Sequence, residues 1–168
     1  AGAKKPLPLE AARKAEFTAT QGSWISLDVS PDGQTVVFDL LGDLHPMPIT
    51  GGKATPLLTG MAFDVQPRFS PDGKKVVFVS DRSGGDNVWI MGADGSEPRQ
   101  LTQEGFRLLN SPWWSPDGAW IAYVRRTPGG VTKEIWLMRP DGSNRRQVTN
   151  RGGLSIMPAW SPDSTRVV

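Results

Sequence analysis

Four serines sit in one recurring setting. Ser30, Ser70, Ser115 and Ser161 are each followed by proline and then by an aspartate, Asp32, Asp72, Asp117 and Asp163, and the first three tetrapeptides close on Gly33, Gly73 and Gly118. Hydroxyl and carboxylate are two parts of a nucleophilic triad, and the third would be an imidazole. His45 is the only histidine, and no Gly-x-Ser-x-Gly elbow occurs. One ring cannot serve four serines. The same residues do supply a tight turn: proline sets φ at about −65°, aspartate hydrogen-bonds its own backbone, and glycine accepts positive φ. They are expected to be structural turn residues, and no catalytic residue is assigned.

Metal and cofactor chemistry finds little more. The chain has no cysteine, which excludes disulfides and thiolate sites, and no His-x-His pair; a catalytic zinc needs several converging His or carboxylate ligands, and His45 alone between Leu44 and Pro46 is a poor start. Residues 39–43 and 80–87 bring carboxylates close together, but neither stretch has EF-hand spacing. Turn capping accounts for Asp81 and Asp86. Glycine pairs at 51–52, 84–85, 129–130 and 152–153 are not followed by the Lys-Ser/Thr of a phosphate loop. No cofactor or metal is expected in this chain.

The net charge of +2 and the pI of about 9.2 come from one end. Residues 1–15 hold Lys4, Lys5, Arg13 and Lys14 against Glu10, a basic N-terminal arm; the remaining 15 basic and 16 acidic side chains nearly cancel. Within that neutral body, Arg125, Arg126, Arg139, Arg145 and Arg146 cluster with little acid nearby. They are either a solvated edge that blocks strand addition or a docking surface for a protein partner. A neutral remainder without a reader motif excludes nucleic acid. No apolar run approaches the roughly 18–20 residues that span a bilayer.

These residues are positioned by a repeat. The Ser-Pro-Asp motif recurs at intervals of 40, 45 and 46 residues. An aromatic follows each of the first three serines by eight residues (Phe38, Phe78, Tyr123), and a Leu/Val-Thr pair recurs at 58–59, 101–102 and 148–149. Each repeat reads as four strands; in the second they are "VQPRFS", "KKVVFVS", "NVWIMGA" and "PRQLT", joined by turn formers such as "ADGS" at 93–96. Four antiparallel strands in 40–45 residues are the signature of a β-propeller blade. The expected fold is all-β, with blades at about 24–59, 64–102 and 110–149, a half blade at 156–168, and a strand-like "EFTA" at 16–19. That is about three and a half blades, a partial propeller. Trp89, Trp114, Trp120, Trp136 and Trp160 are expected to pack between blades. Pro46 cannot donate to a ladder, so the third strand of the first blade is expected to be irregular.

The stretch "SPDGKKVVFVSDRSGGDNVWIMGADGSEPRQLT" (70–102) resembles the repeat of TolB-like propellers, and less closely that of prolyl-oligopeptidase-type peptidases. The stretch 22–73, with "SLDVSPDG" and "VFDLLGDL", resembles the N-terminal propeller of exported bacterial amidohydrolase-fusion proteins. That resemblance implies an exported, periplasmic or secreted protein whose catalytic metal, a divalent ion, sits in a separate downstream domain. Three functional readings follow. The chain is a non-catalytic scaffold for a protein partner or its own downstream domain; or a half-propeller that completes its ring as a homo-oligomer or domain-swapped dimer; or a propeller hydrolase using acidic channel residues.

Overall fold

A computed structural model describes residues 17–23, 25–105, 109–127 and 129–168. These form three antiparallel sheets and no helix. The first sheet contains β1 (Leu27–Val29), β2 (Thr35–Leu40) and β3 (Asp43–Pro48). The second contains β4 (Asp64–Phe69), β5 (Lys75–Ser80), β6 (Asn87–Gly92) and β7 (Arg99–Gln100). The third contains β8 (Leu109–Trp114), β9 (Ile121–Arg126), β10 (Lys133–Met138) and β11 (Arg146–Gln147). Every sheet is a meander in sequence order. The first strands converge: β4 lies beside both β1 and β8, whereas β7 and β11 lie beside no strand outside their own sheets. The sheets are therefore arranged as propeller blades, with β1, β4 and β8 innermost, and the described blades do not close into a ring.

Packing follows from strand alternation. On β5, Val76 and Phe78 point to the first sheet and join Leu44 and Met91, while Val77 points to the third and joins Tyr123, Ile121 and Trp114. A central blade is thus apolar on both faces, and its middle strand is buried almost throughout. Trp89 packs against the first of these clusters and Trp136 against the second, as expected. Trp120 instead carries two guanidinium groups on its ring, Arg139 at 3.9 Å and Arg146 at 5.1 Å.

The 3–4 turns lock onto the preceding blade. A Cβ on Gly95 would meet the Leu57 carbonyl oxygen at 2.7 Å, and one on Gly142 would meet that of Leu101 at 3.0 Å; both have φ of +86°. Backbone conformation and closeness together demand glycine there. Arg99 secures the second of these joints, its guanidinium donating to the carbonyls of Asp141 (3.0 Å) and Pro140 (3.2 Å).

Four expectations need correction or narrowing. The first blade has three paired strands, not four. Its third strand, expected to be irregular, is a regular six-residue partner of β2, with Val37 opposite Pro46. The disturbance falls one strand further out. Leu57 N donates to Leu44 O at 2.7 Å, as Leu101 N does to Val88 O and Val148 N to Ile135 O. That bond shows that Leu44, and so Pro46 two residues on, presents its backbone polar groups outward. The other blades continue with Ile90 opposite Arg99 and Leu137 opposite Arg146. Pro46 occupies the matching position with no N–H, and the outer strand does not form.

The half blade consists of one antiparallel bridge, Trp160 to Val167, flanked by reciprocal backbone bonds between Ala159 and Val168. Residues 17–19 of the strand-like "EFTA" are not in a strand. The arm at 1–15 lies outside the described residues.

Replacing Pro46 by isoleucine restores an outward N–H. The expected result is a slowly exchanging amide at position 46 and a gain of about 0.5–1.5 kcal/mol in unfolding free energy. Hydrogen exchange and urea denaturation check it; a freely exchanging amide would show that the missing strand has another cause.

Candidate functional site: the turn end and the inner wall

The four Ser-Pro-Asp turns share one hydrogen-bond pattern. Each serine hydroxyl donates to its aspartate: Ser30 to Asp32 and Ser70 to Asp72 at 2.6 Å, Ser115 to Asp117 and Ser161 to Asp163 at 2.5 Å. Each serine oxygen also accepts the amide of the residue five positions on, at 2.9 Å. Each aspartate accepts a second amide, as Gln34 N to Asp32 at 3.0 Å. Gly33, Gly73 and Gly118 close the turns at φ of +71°, +70° and +71°. No hydroxyl faces an imidazole: the His45 ring stacks on Phe38, 5.6 Å between centroids. The Ser hydroxyl, followed by the backbone N–H, holds all four carboxyl groups below the ordinary carboxylate range.

The Leu/Val-Thr marker has a partner that the sequence did not announce. Thr102 Oγ1 donates to the fully buried Asn87 and accepts Val88 N, both at 2.9 Å. Asn87 also accepts Glu104 N and donates to the carbonyls of Gly85 and Glu104. Glu134 occupies the same position in the third blade. It binds Thr149 Oγ1 and the amides of Arg151 and Gly152. The Thr149 hydroxyl first, then these amides, lower its carboxyl pKa. This latch fastens the outer strand to the loop leading into the next blade.

The arginine cluster is divided. Arg125 pairs with Glu104 (2.9 Å) and lies over Trp136, and Arg126 donates to Gly130 O. Arg139 and Arg146 are at the opposite end of the third sheet, about Trp120, and Arg145 is exposed. The structure brings these residues into two groups and not into one stripe.

The inner wall holds residues that sequence reasoning passed over. Gln66 and Ser111 have positive φ, +57° and +53°, each precedes a proline, and each lies where the inner strand shifts register against its neighbour. These are β-bulges, and they turn amides toward the previous blade. Gln66 N donates to Asp39 Oδ2 at 2.8 Å, and Ser111 N to Gln66 Oε1 at 2.7 Å. Asp39 also accepts Ser26 N and is buried. A second row runs Asp28, Arg68, Trp113. Phe69 N donates to Asp28 Oδ2 (2.7 Å), Arg68 Nη1 donates to Leu27 O (2.8 Å), and the Arg68 guanidinium lies 4.3 Å from the Trp113 ring centroid. This row borders a cavity of about 170 Å³ ringed by Pro31, Pro71 and Pro116. A signal was present: the positive-φ residue before each of Pro67, Pro112 and Pro158 recurs in phase with the serines.

Among the described residues no group of three or more His, Asp or Glu is placed to hold a metal ion, and no helix is long and apolar enough to cross a membrane. The arrangement offers a wall and clefts for binding, and among the described residues the turn serines face carboxylates and not the His45 ring.

The turn carboxylates have lowered folded-state pKa values, so the stability they contribute is present above the unfolded pKa and is lost as pH falls through the folded one. The urea midpoint should be flat above about pH 5 and fall below roughly pH 4. Ser70→Ala, which removes the largest cause at Asp72, should flatten that acid slope. An unchanged slope would exclude the turn as its origin. At the latch, Thr102→Val should cost about 1–3 kcal/mol by stranding Asn87, measured by the same denaturation.

Comparison with known proteins agrees with this geometry. The TolB beta propeller domain matches residues 7–168. The uncharacterized peptidase YuxL of Bacillus subtilis is 41% identical over 70 residues, 41% of this chain and 10% of that protein. A TolB candidate from Agrobacterium tumefaciens superposes with a TM-score of 0.70 at 25% identity, over 86% of this chain and 57% of its own. TolB from Acinetobacter baumannii gives 0.72 at 22%, over 89% and 38%. The chain therefore spans from a tenth to little over half of the proteins it matches, and it belongs to the TolB β-propeller domain family.

Proposed function

We propose that this chain is a non-catalytic propeller scaffold, the N-terminal part of a larger exported amidohydrolase-like hydrolase, which docks a protein partner or its own downstream domain. One observation carries the reading: each of the four recurring Ser-Pro-Asp serines donates its hydroxyl to its own turn aspartate. Relatives named as peptidases are far longer than the matched segment, which leaves room for a catalytic part elsewhere in such proteins. The likeness to TolB propellers supports the export part of this reading. A divalent metal, on this reading, belongs to the downstream domain. The arginines about Trp120 offer it a basic face, with Arg145 exposed.

A second reading, ring completion between two copies, draws on the first blade. Its preceding-side glycines Gly33 and Gly51 have no described atom within 4 Å of a built Cβ, where Gly73 and Gly95 meet a neighbouring blade. Leu27 and Ile49 there are 55% and 49% exposed.

The chain should hydrolyse no peptide, ester or amide substrate, with or without added divalent metal. Turnover abolished by His45→Ala would overturn the scaffold reading. Light scattering decides the second: a monomer that unfolds cooperatively would rule out ring completion between copies.

A further inference from the structure

Arg99 and Arg146 hold the same place in successive blades, 47 residues apart, as do Leu101 and Val148, and the latch threonines Thr102 and Thr149. The backbone agrees: Leu101 N donates to Val88 O at 2.8 Å and Val148 N to Ile135 O at 2.9 Å. Arg99 spends its guanidinium on the carbonyls of Pro140 and Asp141, and Gly142 of the same turn rests on the Leu101 carbonyl. Beneath that turn Leu101 is 6% exposed. In the third blade the matching groups face solvent. Arg146 is exposed, lies over Trp120, and has no acceptor among the described residues. Val148 is 44% exposed.

Beside that clamp runs an open strand edge. The half blade pairs Trp160 with Val167, and its backbone bonds join Ala159 to Val168 and Ser161 to Arg166. Alternation therefore turns the N–H and carbonyl of Val167 away from Trp160. Val76 and Ile121, each six residues after a turn serine as Val167 is, stand opposite Met91 and Met138 of a third strand. We propose that the outer face of the third blade and this edge together dock a β-hairpin whose strands are joined by an Asp-Gly turn, the turn clamped by Arg146 and its first strand paired to Val167. The inference rests on the scaffold reading and deepens it by naming the element the partner presents. The occupant is a hairpin and not a whole blade, because the half blade already fills the two inner places: Trp160 Nε1 donates to Trp113 O at 3.4 Å and Asp117 N to Ser164 Oγ at 3.0 Å. Backbone pairing along the edge supplies affinity, and the clamp selects the turn. Glycine is required in it for the reason that holds at Gly142, where φ is +86° and a Cβ would meet a carbonyl oxygen at 3.0 Å.

The test uses the whole 168-residue chain and a fluorescein-labelled peptide with the sequence of residues 132–149, which holds such a hairpin with Pro140-Asp141-Gly142 at its turn. The peptide carries four basic side chains against two acidic ones, so simple charge attraction to an arginine does not draw it in. Anisotropy titration should show saturable binding. It should weaken at least about tenfold when the peptide carries Gly142→Val or the chain carries Arg146→Gln, the loss expected for hydrogen bonds from a charged donor. Arg146→Lys, which keeps the charge without the planar fork, should recover only part of it. In the complex the Val167 amide should exchange at least about tenfold more slowly than in the free chain.

The exchange readout separates docking from displacement of the chain's own residues 132–149, which would leave the Val167 amide as it was. The peptide variant leaves the chain untouched, so its result stands even where Arg146→Gln disturbs the third blade. Absence of binding, an unchanged Val167 amide, or equal binding of the Gly142→Val peptide would overturn the proposal. None of these outcomes bears on hydrolysis, whose absence would leave the scaffold reading standing.

Discussion

The structure depends on sheets that are apolar on both faces. Val76 and Phe78 face one way from β5 and Val77 the other, and each side finishes a separate cluster. A lone blade would expose both. At about 25 cal/mol per Å² of apolar area, a few such side chains outweigh the net contribution of most hydrogen bonds in the sheet. Stacking is what makes each blade stable, and the polar contacts decide how blades are stacked.

Those contacts fall into three sets. At one end the Ser-Pro-Asp turns lie in series; a Cβ on Gly73 would touch Pro31 at 3.4 Å, and Asp117 N reaches the Ser164 hydroxyl of the next turn. Further out, the 3–4 turns sit on the preceding blade under the Arg99 clamp. Along the inner wall, bulged amides reach back to side chains of the previous blade. Chemistry that resembles a catalytic inventory, with serine, aspartate and arginine repeated in phase, is consumed by assembly.

Much of this was legible from periodicity. The turns, the aromatic on each middle strand and the blade order follow from residue types at fixed spacing, because turn dihedrals and strand alternation are local. The relation of Asn87 and Glu134 to the threonines was not legible, since amide and carboxylate fill the same place and only the threonine recurs. The Asp28, Arg68, Trp113 row was hidden for the same reason: three unlike side chains carry no repeat signal. Pro46 was read correctly as a defect but assigned to the wrong strand, because the outward direction of its missing N–H depends on the pairing register, which the sequence alone leaves open.

The amide steps from Asp39 to Gln66 to Ser111 have a mechanical consequence. Load applied across the blades is carried near the axis by short polar links fixed to backbone, while the periphery ends in strands of two residues, or in the first blade none. The assembly is stiff at its hub and compliant at its circumference. Thermal breathing should therefore begin at the perimeter and travel inward, with the hub the last part to lose its shape.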